Sequence, residues 1–192
     1  ASYFNWLFYV IYGEIINIVQ SLTDLSDSWL PTIGRGITLT ATVAGFAICY
    51  RLFNYFLKDQ PGAKVLPILF SALIFIGPLA GFWVISVRPD MWAPALDAAA
   101  ILWFFRLQQR NILIAILGFC LLAYISWAFK QTHVIAPGTI GLYFLSRNQW
   151  RNLAIICLTM GFLWGLTLLM GGEFYLKILT LGASNADFSF DL

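Results

Sequence analysis

The sequence is poor in charge. Asp, Glu, Lys and Arg together make up 10% of its residues, against about 25% in soluble domains. With 60% hydrophobic residues and a mean hydropathy of +0.81, too little polar material remains to build a water-facing surface. Histidine is almost missing. His133 stands alone, which excludes bis-histidine haem ligation and a histidine-rich copper or pigment site within the chain. Cysteine is scarce and scattered: Cys49, Cys120 and Cys157 sit in separate apolar runs. An odd number at such spacing offers neither a disulfide framework nor a metal motif, and the three read as buried structural thiols. The GxSxG, HExxH, CxxC, P-loop and GxGxxG patterns are absent. The chain is therefore expected not to be an enzyme, with no catalytic residues, no cofactor and no metal. A net charge of +2, with no basic patch outside short turns, argues against nucleic acid. No basic segment precedes the first apolar run and no small-residue cleavage site follows it, so it does not read as a secretory signal.

What the sequence does contain is long apolar runs. A helix needs about 20 apolar residues to cross a hydrocarbon core of about 30 Å. Ile37–Leu57, Val65–Ser86, Asn111–Phe129 and Asn152–Gly172 meet that length. Lipid offers no hydrogen bonds to a backbone, so each should be helical; continuous rather than alternating hydrophobicity excludes a barrel. Three further segments are ambiguous. Tyr3–Leu22 is long enough but carries Glu14, Asn17, Gln20 and Ser21, so it spans or lies in the interface. Met91–Phe105 reaches roughly 22 Å as a helix, short for a crossing. His133–Leu145 contains Pro137, Gly138 and Gly141, as a broken or re-entrant helix would. The turns are marked by KDQPGAK (58–64), SVRPDMWAP (86–94) and DLSDSWLPTIGR (24–35). RLQQRN (106–111) has no breaker, which leaves open one helix from Pro94 to Phe129. The expectation is an all-α integral membrane protein: one helix-bundle domain over 1–192 with about seven membrane segments, four strong and three short or ambiguous. Residues 173–192, apolar and then acidic, form a flexible or partner-docking tail.

Charge chooses the orientation. With seven crossings, Arg51, Lys58, Lys64, Arg106, Arg110, Arg147 and Arg151 share one side, and Arg35, Arg88, Lys130 and Lys177 the other. If 91–105 and 133–145 only partly enter, the split falls to six against five. The positive-inside rule favours the first arrangement and puts the turns 58–64, 106–110 and 147–151 in the cytoplasm, in a bacterial inner membrane or its equivalent. Trp29, Trp92 and Trp127 fall at one boundary and Trp103 and Trp150 at the other, with Trp164 in mid-span.

The candidate intramembrane polar residues are Glu14, Asn17 and Asp97. Glu14 has no basic partner in its own run, so it must protonate, pair with another helix, line a wet path, or face water from the interface. Asp97 follows Pro94 by about one turn, where the helix dipole and Arg88 favour a carboxylate; the competing reading is a proton or cation site. His133, beside Lys130 and Pro137, reads as a polar boundary residue. The pairs Arg106/Arg110 and Arg147/Arg151 each lie four apart, on one side of a helix. They suit a lipid phosphate or an acidic partner segment, or serve as topology anchors. GPLAG (Gly77, Gly81) and GFLWG (Gly161, Gly165) are GxxxG packing patterns, and ATVAG (41–45) is a small-residue relative.

Two functions fit. A non-catalytic membrane subunit of a larger secretion, translocation or energy-coupling assembly needs small-residue faces, a docking tail and no complete site. Its partners would be membrane lipids and other membrane subunits or copies of itself. The alternative is a small polytopic transporter or channel for a proton, ion or small solute, which needs polar residues converging from several helices.

Overall fold

A computed structural model describes residues 6–23, 26–78, 80, 81, 84, 86–130 and 132–184, with backbone alone at 6, 27, 89 and 172–184. Among the described residues there are seven α-helices and no strand. They are α1 (Trp6–Leu22), α2 (Leu30–Leu57), α3 (Leu66–Phe75), α4 (Trp92–Leu107), α5 (Ile112–Phe129), α6 (Ile135–Ser146) and α7 (Trp150–Ser184). Three are long and apolar enough to cross a membrane: Leu30–Leu57, Ile112–Phe129 and Trp150–Gly171 of α7.

Local chemistry sets the boundaries. Pro31 in α2 and Pro67 in α3 stand in first turns, where a missing N–H costs nothing. The RLQQRN stretch breaks the Pro94–Phe129 continuum. Arg110 and Asn111 N–H both turn back to the Leu107 carbonyl. Asn111 then becomes extended, and its side chain accepts from the amides of Leu113 and Ile114, both at 3.1 Å, as an N-cap does. Between α6 and α7, Asn148 adopts φ 54°, a conformation asparagine tolerates better than most residues.

The apolar run Val65–Ser86 is not one helix. α3 stops at Phe75, where Ile76 and Gly77 N–H both fold onto the Ala72 carbonyl. Pro78 follows, and it supplies no N–H and clashes with the preceding turn. Continuous hydrophobicity concealed this stop. From there to α4 no described residue is in an α-helix; Gly81, Val84 and Pro89–Met91 are in 3-10 conformation.

From α2 onward the chain runs back and forth between two ends. Tyr55 O–H donates to the Phe105 carbonyl, Phe105 meets Tyr143 edge-on, and Tyr143 O–H donates to Gln108. The last turns of α2, α4 and α6 therefore share one end. At the other, Thr38 bonds the Arg88 carbonyl and Ser126 the Ala93 carbonyl, joining the starts of α2 and α4 to the end of α5. α1 leans on this second end with Leu7, Phe8, Ile11 and Tyr12. None of its residues from Gly13 to Leu22 is buried.

α4 is the hub. Ala93, Ala95, Ala98 and Ala100 are buried along it, small enough to let α2 and α5 close in on either side. Phe104 at its far end is fully buried among the rings of Phe105, Phe119, Tyr143 and Phe144. On the α2 side, Ala41 and Gly45 of ATVAG face α3 and α4, and the Phe75 ring occupies the space a Gly45 side chain would need. Outside, the order of a soluble protein is inverted: Leu158, Phe162, Leu169 and Met170 on α7 and Leu113, Leu117 and Leu121 on α5 are exposed. Cys49 and Cys120 are buried free thiols, whereas Cys157 is exposed.

Candidate functional site

The expected intramembrane residues do not meet. Glu14 and Asn17 are exposed on the outer half of α1, while Asp97 is buried in α4. Asp97 has instead collected partners that the sequence did not nominate. Its Oδ2 lies 3.2 Å from His133 Nδ1. Seven residues earlier, Asp90 takes a hydrogen bond on Oδ1 from Lys130 Nζ. Lys130 and His133 belong to the same α5–α6 connection, 130–134, and Asp90 and Asp97 lie about two helical turns apart. Two acid–base rungs thus tie this connection to the start of α4.

Burial grades across the site. The Asp97 and Asp90 side chains are 7% and 8% exposed, His133 17% and Lys130 28%. The acids face the interior and the bases reach the rim. Among the described residues nothing hydrogen-bonds Asp97 Oδ1 or Asp90 Oδ2, both buried, which is costly for carboxylate oxygens in particular. The surrounding polar groups are satisfied. Tyr12 and Thr38 bond each other at 3.0 Å and both reach the Arg88 carbonyl at 3.4 Å. Ser126 Oγ donates to the Ala93 carbonyl at 2.9 Å. Among the described residues no three His, Cys, Asp or Glu side chains converge to hold a metal ion. What the arrangement can do is hold and exchange a proton.

At the opposite end of the bundle lie the turns that carry the four arginines. Arg106 closes α4, Arg110 lies in the turn after it, and Arg147 and Arg151 flank the α6–α7 turn. The Tyr143–Gln108 hydrogen bond, 2.9 Å, draws these two turns side by side, and the Arg147 guanidinium lies 4.9 Å from the Tyr143 ring centre. All four arginines are exposed.

Gly77 and Gly81 lie outside any α-helix, Gly81 at φ +52°, so the two glycines do not share an α-helical packing face. The reason is again Pro78. Gly161 and Gly165 are helical, but nothing in this chain lies within 4 Å of where their side chains would point. Trp164 packs on Trp127 of α5, ring centres 6.0 Å apart. The tail is helical as far as Ser184; its side chains, and residues 185–192 with Phe188 and Phe190, lie outside the described residues.

No protein-family model, curated protein or solved structure matches this chain. The functional reading rests on its own residues. Asp90, Lys130 and His133 were invisible as a site in one dimension, because each sits among turn residues whose ordinary role is to be polar. The sequence offers two acids, at 90 and 97, and two bases, at 130 and 133, and spacing does not say which loops meet.

Proposed function

We propose that this chain is a non-catalytic, membrane-embedded subunit of a larger membrane assembly of secretion, translocation or energy-coupling type. The observation that carries the reading is the return segment 76–88. Phe75 packs at Gly45 and Val87 at Gly34, positions roughly 16 Å apart along α2. Over that depth none of the described residues is in an α-helix, and Ile76, Pro78, Gly81 and Val87 are exposed. Non-helical backbone at membrane depth is tolerated only against protein or a water-filled cavity, and each unsatisfied polar group in hydrocarbon costs several kcal/mol. A neighbouring subunit covers this segment. The open face of α7 around Gly161 and Gly165 gives a second contact, to another subunit or a second copy.

In this reading the six passages α2 to α7, together with α1, form seven membrane segments. The end with Lys58, Lys64, Arg106, Arg110, Arg147 and Arg151 lies in the cytoplasm, in a bacterial inner membrane or its equivalent. The arginine cluster there meets lipid phosphates or an acidic partner segment. The test is extraction in mild detergent at native levels, with a cross-linkable cysteine at Val87, followed by sizing and identification of the attached chains. A different polypeptide joined at position 87 is expected. A lone monomer, or a pure homo-oligomer that carries flux after reconstitution, would reject the subunit in favour of the second reading, a small transporter or channel for a proton or ion. The unpartnered carboxylate oxygens of Asp90 and Asp97 favour that alternative.

A further inference from the structure

We propose that Asp97 and His133 form a proton-binding site that exchanges with the aqueous medium through the α5–α6 connection. The inference concerns the isolated chain and does not depend on which assembly it joins. Its basis is geometric. The carboxylate is buried inside the bundle, its ring partner stands at the rim, and 3.2 Å separates Oδ2 from Nδ1. Among the described residues the other carboxylate oxygen is buried without a hydrogen-bond partner.

The pairing identifies the ligand. Asp90 is taken by Lys130. Asp97 faces a ring that carries no charge until it gains a proton, and with that proton the two become an ion pair. A metal cation is disfavoured on two counts: among the described residues no three ligating side chains converge, and the Lys130 ammonium already occupies the neighbouring carboxylate. In the neutral ring, Nδ1 carries hydrogen and donates to Asp97 Oδ2, which leaves the Nε2 lone pair open. Hydronium from the aqueous side delivers the proton: one of its O–H bonds breaks as the Nε2–H bond forms, a water molecule is released, and the ring becomes imidazolium held by the Asp97 carboxylate. Release reverses the step. The connection 130–134 is thereby anchored by a rung whose charge depends on proton occupancy.

Among the described residues the remaining ionisable groups at this end are Asp90, Lys130, Arg88 and Tyr12, with Arg35 exposed on the first turns of α2. The other polar side chains there are hydroxyls, Thr38 and Thr42 of α2 and Ser126 of α5. Tyr124 of α5 is bonded to Thr167 of α7 at 2.6 Å.

His133 is the sole histidine, so nitrogen NMR of histidine-labelled chain in micelles reports this ring alone. The wild type is expected to show the Nδ1-protonated neutral tautomer, converting reversibly to imidazolium as pH falls. Asp97→Asn removes the facing charge at nearly constant shape. It should weaken proton binding by on the order of tenfold or more and abolish the tautomer preference. Glu14→Gln should change neither. Identical titrations in wild type and Asp97→Asn would overturn the proposal, as would a ring that does not titrate. A shift on exchanging sodium for potassium at constant ionic strength would also overturn it, pointing to a metal cation. If Asp97→Asn does not keep the wild-type elution profile and helix content, the wild-type tautomer still decides: an Nε2-protonated neutral ring refutes the assigned hydrogen bond.

Discussion

Gly45→Ala would put a methyl group where the Phe75 ring now lies. A side-chain carbon at position 45 would fall well inside van der Waals contact of Phe75 Cε1 and Cζ, and 2.9 Å from Ala95 Cβ. The ring cannot simply swing away, because Phe75 is fully buried between α2 and α4. Overpacking of this kind costs about 1–3 kcal/mol. Alanine also gains about 1 kcal/mol over glycine in a helix interior, which would blur a single measurement. Gly161→Ala removes the ambiguity. Gly161 is likewise interior to a long helix, with nothing within 4 Å of the added atom, so the propensity gain cancels between the two variants. Their difference isolates the clash. At roughly 2–4 °C per kcal/mol for a chain of this size, Gly45→Ala should melt about 2–12 °C below Gly161→Ala in the same detergent. Adding Phe75→Leu should recover part of the loss, with a coupling energy of about 0.5–3 kcal/mol between the two positions. Equal melting of the two alanine variants would mean that α3 does not end on Gly45, and the half-length helix with its exposed return would lose its support.

Other outcomes follow from single contacts. Phe104→Ala should cost about 3–5 kcal/mol, since the ring is fully buried at the crossing of α4, α5 and α6; a loss under about 1 kcal/mol in reversible unfolding would disprove that packing. Asn111→Ala frees the amides of Leu113 and Ile114 and should cost about 1 kcal/mol, whereas Asn111→Asp should keep the cap and nearly all of the stability. In a background without the exposed Cys157, single cysteines at Arg110 and Asn148 should label from the same side of a sealed vesicle and one at Thr132 from the other. Labelling of Arg110 and Asn148 from opposite sides would defeat the alternation of helices between two ends.

The two ends of the bundle illustrate how unevenly a site can be read in one dimension. The arginines 106, 110, 147 and 151 were identifiable as a group, because charge in a hydrophobic chain collects at turns and alternate turns fall on one side. The hydrogen bond that draws their turns together, Tyr143 to Gln108, was not visible, since both residues are unremarkable where they stand. Asp97 stood out because a carboxylate in an apolar run is expensive. Its partner did not, because His133 is separated from it by the whole of α5. The GPLAG pattern misled for a related reason. Spacing alone cannot tell two glycines on a helix face from two outside any α-helix, and Pro78 between them is what ended the helix.

Composition pointed to an apolar solvent and with it to helices. A chain with 10% charged residues has little with which to cover itself for water, and in hydrocarbon a helix satisfies its backbone within the segment; both are additive properties of local stretches. Where an apolar run stops being helical, which loop meets which helix, and whether a carboxylate has a base beside it depend on contacts between residues far apart along the chain. Those follow from the close packing of α4 between α2 and α5, which seats Phe75 on Gly45 and carries Asp90 and Asp97 to Lys130 and His133.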